Sequence, residues 1–181
     1  FTLPPAAKLA AQGAAAAVRD CGQRALPIRV DCTDPRDVAA GFARIRDELG
    51  PVDILLNNVG QSARERMSDF WRSDLETLDF MLAINLKSCI MAAKEVIPIM
   101  RAQRSGAIIN ISSMAAITTY PYVAYKATKS AMIAFTEQLA YQNAEYGIRA
   151  NVILPGLMNT PMAVDTRARE WHKTRAEVEA E

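Results

Sequence analysis

Two rhythms alternate along the chain. Short apolar runs at 25–30, 52–56, 107–111 and 148–154 read as strands buried on both faces. Between them, longer segments carry apolar residues at helical spacing, such as Val38, Phe42, Ile45 and Leu49. An alanine-rich stretch at 8–21 favours helix by propensity and stops before Gly22, where a capping glycine belongs. Pro35 suits the first position of the next helix, with Thr33 or Asp34 as its cap, and Gly50-Pro51 ends it. A long apolar-periodic stretch covers 75–100, with a weak point expected at Pro98. Ser105-Gly106 turns the chain, and a further helix is predicted over 123–146, closed by Gly147. Residues 61–73 are polar and irregular, and the charged tail from Pro161 is helical in pattern.

Strands alternating with helices of ten or more residues predict a parallel sheet covered on both faces. No internal repeat or second domain is visible, so residues 1–181 are expected to form one domain. In open parallel sheets, ligands bind beyond the carboxyl ends of the strands. Four such ends carry notable residues: Asp31, Asn57-Asn58-Val59-Gly60, Ser112-Ser113 and Pro155-Gly156. Asn, Gly and Pro belong in turns for their own reasons, so each end taken singly has a plain structural explanation.

Composition narrows the partners. Half of the 181 residues are hydrophobic, 23% are charged, and 21 basic against 20 acidic side chains leave a net charge of +1. That balance gives no support for nucleic acid or an anionic membrane as partner. Cys21, Cys32 and Cys89 are an odd number without metal-ligand spacing, and read as reduced thiols of a cytoplasmic protein with no metal site. No apolar run approaches a membrane span, and no signal peptide is visible. The chain starts at Phe1 and stops within the charged run 175–181, so both ends read as cut and an interior piece of a longer protein is expected.

The strongest candidate chemistry lies on the predicted helix at 123–146. Tyr125 and Lys129, four apart in Tyr125-Lys126-Ala127-Thr128-Lys129, share one helical face. An ammonium beside a phenol favours the phenolate, lowers the tyrosine pKa, and suits the tyrosine for acid–base work near neutral pH. Alone, the pair is a weak signal, and a surface lysine beside a packed tyrosine would look the same.

Several motifs in order carry a resemblance. Asp31, Asn57-Asn58-Val59-Gly60, Ile84-Asn85-Leu86, Ile109-Asn110-Ile111-Ser112-Ser113, the Tyr125/Lys129 pair and the stretch from Asn151 through Pro155-Gly156 to Thr160 match their counterparts in one family. The chain resembles a classical short-chain dehydrogenase/reductase, with Val59 where that family's Asn-Asn-Ala-Gly motif has alanine. The resemblance implies a Rossmann-like three-layer α/β/α fold with a parallel sheet, here incomplete at both ends. It implies NAD or NADP as cofactor and an NAD(P)-dependent interconversion of an alcohol and a carbonyl. Tyr125 would be the general acid/base. Lys129 would lower its pKa and hold the nicotinamide ribose. Ser113, rather than Ser112, would bond the substrate oxygen, and Asn85 would hold a water of the proton relay. By the same resemblance Asp31, Cys32, Asn58, Val59, Gly60, Tyr125, Lys129, Pro155, Gly156, Met158 and Thr160 would line the cofactor site. Substrate contacts would come from 61–69, the residues after Ser113 and the tail after Thr160. Paired helices at 75–100 and 123–146 would build a homodimer or homotetramer around a small-molecule alcohol or ketone reaction.

The family's glycine-rich phosphate turn has no counterpart among the eight glycines, and the residue that selects NAD over NADP is not in the sequence. The alternative is therefore a non-catalytic fragment or pseudo-enzyme serving as a binding or assembly module. Other residues have plainer explanations. Thr160 before Pro161 suits an N-cap, and Asn85 could cap a local backbone group. His172 reads as solvated. Met158, Met162, Tyr120 and Trp71 read first as packing residues.

Overall fold

The computed structural model describes residues 5–62, 71 and 74–180. Helix α1 (Pro5–Asp20) leads into α2 (Pro35–Leu49), and strand β1 (Ile54–Asn57) follows. One long helix comes next in three parts: α3 (Leu75–Leu82), a π-helical turn (Ala83–Lys87) and α4 (Ser88–Gln103). Strand β2 (Gly106–Ile111), a 3₁₀ turn (Met114–Ala116), α5 (Val123–Asn143) and β3 (Ile148–Ile153) complete the sheet region. Helices α6 (Pro161–Trp171) and α7 (Arg175–Glu179) form the tail.

Local chemistry sets the boundaries. Asp34, not Thr33, caps α2 by accepting from the Arg36 amide at 2.8 Å, while Thr33 bonds Asp31 instead. Asp74 caps α3 through the Thr77 amide. After α5 the chain reverses at Gly147, where a φ of +71° and the Arg104 carbonyl oxygen, 2.7 Å from where a Cβ would stand, both exclude a side chain.

The three strands are parallel in the order β1-β2-β3. Helix α5 packs on β3, α4 on β1 and β2, and α2 on α4. The core between these layers holds Leu55, Ala93, Val96, Met100, Ile108, Leu139 and Ile148. Burying each large aliphatic side chain of this set contributes about 1.5–3 kcal/mol. The opposite face follows from the register: Ile54, Ala107 and Arg149 align, as do Leu56, Ile109 and Asn151. On that face Ile54 is 65%, Leu56 57% and Ile153 50% exposed. The sheet is thus Rossmann-like and incomplete, with helices packed on one face and apolar side chains bare on the other.

Two expectations are corrected. Residues 25–30 form no strand. Their burial does alternate: 26, 28 and 30 are half-buried while 27 and 29 are exposed. A ladder needs a neighbour, however, and a cavity of about 290 Å³ separates Leu26, Ile28 and Val30 from β1 and α4. The long helix also runs unbroken through Pro98, and its irregularity falls at the π-helical turn around Asn85. Among the described residues, no helix is long and apolar enough to cross a membrane.

Candidate active site

The carboxyl ends of β1 and β2 and the first turns of α5 converge on Lys129. Its side chain is only 5% exposed, and its ammonium donates to the Ile111 carbonyl, the last residue of β2, at 2.8 Å. One residue later, the Ser112 hydroxyl donates back to the Lys129 carbonyl at 2.7 Å. These two bonds lock the strand end to the helix. Burial pushes the Lys129 pKa down.

The two serines divide the work. Ser112 is 3% exposed and its hydroxyl is engaged with α5. Ser113 is half-buried and caps the 3₁₀ turn, its Oγ accepting from the Ala115 amide at 3.2 Å. An oxygen that accepts in this way still has its own proton to donate. The half-buried Tyr125 ring lies 5.8 Å from the Lys129 ammonium and 5.5 Å from the Tyr120 ring, which in turn meets Tyr122 edge-on at 5.4 Å.

Asn85 is fully buried inside the π-helical turn. Its Oδ1 accepts from the Gln61 amide at 2.8 Å and its Nδ2 donates to the Gln61 carbonyl at 2.9 Å. The same Nδ2 reaches the Thr128 hydroxyl at 3.2 Å, and that hydroxyl donates to the Tyr125 carbonyl at 2.9 Å. Asn85 therefore ties the turn after β1 to the helix of Tyr125 and Lys129. Gly60 lies against this group. A Cβ there would stand 2.9 Å from Asn85 Oδ1 and 3.3 Å from Lys129 Nζ, so the position has no room for one. Deeper in the sheet, Asn57 donates to Asn110 at 2.8 Å and Asn110 to Thr136 at 2.8 Å, which joins β1, β2 and α5.

At the far end of this edge, the Thr33 hydroxyl and amide both bond Asp31, holding its carboxyl below the usual carboxylate range. Cys32 and Val59 line the 290 Å³ cavity with Cys89. Burial raises the pKa of both thiols, so both stay protonated at neutral pH. Asn58, Val59 and Gly60 are exposed at the carboxyl end of β1. The Pro155 carbonyl accepts from the Met114 amide at 3.0 Å, placing Pro155 and Gly156 beside the Ser113 turn.

Several expected residues behave differently. Thr160 is the N-cap of α6, accepting from the Ala163 amide at 3.2 Å, so its hydroxyl already has a structural task. Met158 is 58% and Trp71 89% exposed, against the expectation that they pack. His172 is exposed, as expected of a solvated residue, and closes α6 in a left-handed conformation. Residues 63–69 of the expected substrate loop and the Met162 side chain lie outside the described residues. Lys126 and Thr128 went unread in the sequence, although both stand inside the Tyr-x-x-x-Lys stretch that marked the site.

Comparison with known proteins decides the family. The family model described as short chain dehydrogenase matches residues 6–171. The chain belongs to the short-chain dehydrogenase family. It is 32% identical over 140 residues to 2-(R)-hydroxypropyl-CoM dehydrogenase of Xanthobacter autotrophicus (strain ATCC BAA-1158 / Py2), covering 77% of this chain and 56% of that relative. The solved structure of an NAD+-bound xylitol dehydrogenase superposes with a TM-score of 0.82 at 30% identity, over 88% of this chain and 61% of the other. The structure of ElxO with NADP bound gives 0.73 at 26% identity, over 84% and 61%. The chain thus spans little more than half the length of these relatives.

Proposed function

We propose that this short-chain dehydrogenase is an NAD(P)-dependent oxidoreductase that interconverts an alcohol and a carbonyl, with Tyr125 as general acid/base. One observation carries the reading. Lys129 is buried next to Tyr125 and is anchored to the end of β2, at the point where Ser113 leaves the strand. A solvated surface lysine would need neither the burial nor the reciprocal Ser112 bond.

Two sets of residues would hold the cofactor. Asp31, Cys32, Asn58, Val59 and Gly60 form the end near the cavity. Tyr125, Lys129, Pro155, Gly156, Met158 and Thr160 would form the nicotinamide end. The fit is supported by the apolar cavity lined by Cys32 and Val59 and by the close packing of Gly60 on Asn85 and Lys129, which brings the turn after β1 up to the lysine. NAD or NADP, when bound, supplies the hydride exchange. In the reductive direction the Tyr125 phenol gives its proton to the carbonyl oxygen, and in the oxidative direction the phenolate takes the hydroxyl proton. The Lys129 ammonium steadies that phenolate through space. Ser113 donates to the substrate oxygen, where charge develops. Asn85 fixes the helix that carries the pair, through Gln61 and Thr128.

A coenzyme-linked absorbance screen across alcohols, ketones and sugars, with NAD and NADP in parallel, tests the proposal. It predicts turnover with at least one secondary alcohol or its ketone. Coenzyme-independent signals throughout would instead favour a non-catalytic binding or assembly role.

A further inference from the structure

We propose that Lys126 is a positioning residue for this reaction, an inference that rests on the oxidoreductase reading above. Its ammonium clamps residues 115–118, in the segment that follows Ser113. A lysine ammonium has three N–H donors. Here three carbonyl oxygens surround it, those of Ala115 at 3.2 Å, Ala116 at 3.3 Å and Thr118 at 2.5 Å. The Ser130 hydroxyl adds a fourth link from α5, to the Ala116 carbonyl at 2.8 Å. Three carbonyl dipoles gathered at one point repel each other unless a cation stands between them. The lysine thus reinforces a curl that the segment also closes through its own backbone, from the Ala116 amide to the Ser113 carbonyl and from the Ile117 and Thr118 amides to the Met114 carbonyl.

The consequence for the site is direct. The Ala115 peptide whose amide bonds Ser113 Oγ also presents its own carbonyl to Lys126. With the backbone oxygens drawn inward, the side chains of Met114 and Ile117 stand outward, 39% and 63% exposed. On its other side the segment is stitched to Pro155 through the Met114 amide. Lys126 therefore ties the segment after Ser113 to the helix that carries Tyr125 and leaves apolar side chains on the segment's outer side. A lysine next to a substrate site is ordinarily read as an anion binder. Here its donors are already taken by the protein's own backbone.

The test uses the full chain and two variants, Lys126→Met and Lys126→Arg. For a substrate found by the coenzyme-linked screen, Lys126→Met is expected to lower kcat/KM on the order of tenfold to a hundredfold, as displaced catalytic groups do. The KM for the alcohol or ketone should rise while that for NAD or NADP stays unchanged, whereas a merely lowered folded fraction would cut kcat and leave both KM values alone. Lys126→Arg should recover part of the loss, because a planar guanidinium retains the charge but not the three-way geometry. Amide hydrogen exchange reads the clamp independently of activity. The Ala116, Ile117 and Thr118 amides should exchange faster in Lys126→Met while those of α5 do not change. If the wild type shows no coenzyme-linked turnover, the oxidoreductase reading fails and the exchange data alone decide the clamp. Unchanged exchange, or unchanged kcat/KM in an active enzyme, overturns the proposal.

Discussion

Lys129 is held in a position that a charged group does not choose by itself. Burial disfavours its ammonium, and the bond to the Ile111 carbonyl keeps it there. Its pKa in the folded chain lies below the unfolded value. Between the two values the unfolded chain binds more protons, so stability rises with pH. The penalty is full below the folded pKa and fades as pH climbs through it toward the ordinary lysine value near ~10.4. The stability difference between wild type and Lys129→Met should therefore grow in favour of wild type from neutral pH to about pH 10. Urea-denaturation midpoints across that range check this, and a flat difference would mean that the ammonium is not strained by burial. At this scale the sequence was only partly legible. The pairing of Tyr125 with Lys129 follows from helical spacing. The engagement of Lys126 with three carbonyls depends on how the 114–118 loop folds back on α5, which no spacing encodes. Thr160 was legible in both its readings, and the structure shows the capping one.

Between elements, the buried Asn57–Asn110–Thr136 chain fastens β1, β2 and α5 together. Asn110 is fully buried, and both the oxygen and the nitrogen of its side-chain amide are hydrogen-bonded. Asn110→Ala would leave the Asn57 amide and the Thr136 hydroxyl short of a partner and open a small void. Chemical denaturation should show a loss of about 2–4 kcal/mol. A loss near zero would mean that water replaces the side chain. Most elements were legible because their caps and periodicities agree: Asp34-Pro35 starts α2, and Gly147 ends the α5 region. The exceptions have a common physical cause. The 25–30 segment has the period of a strand, but a strand exists only with a hydrogen-bonded neighbour, and propensity alone cannot supply one. Pro98 sits within α4, which continues through it as helix. The irregularity belongs instead to Asn85, whose side chain reaches outside the helix to Gln61.

For the whole molecule, the parallel sheet was expected from the alternation of elements, and the candidate residues Lys129, Ser113 and Gly60 do gather at its carboxyl edge. The bare face with Ile54, Leu56 and Ile153 was not expected, since the apolar runs read as strands covered on both sides. We further expect the surfaces of the 75–103 and 123–143 helices to pair two copies of the protein. Sedimentation at micromolar concentration should report a dimer or tetramer, and a monomer there would remove that expectation. The central claim, however, concerns proton handling by Tyr125 in a coenzyme-linked reaction. Tyr125→Phe keeps the ring against Tyr120 and removes the phenolic hydroxyl with its proton. Coenzyme-linked turnover by this variant, measured beside its NAD or NADP affinity, is the most direct test. Turnover should collapse while coenzyme binding survives, and turnover near the wild-type rate would contradict Tyr125 as the general acid/base.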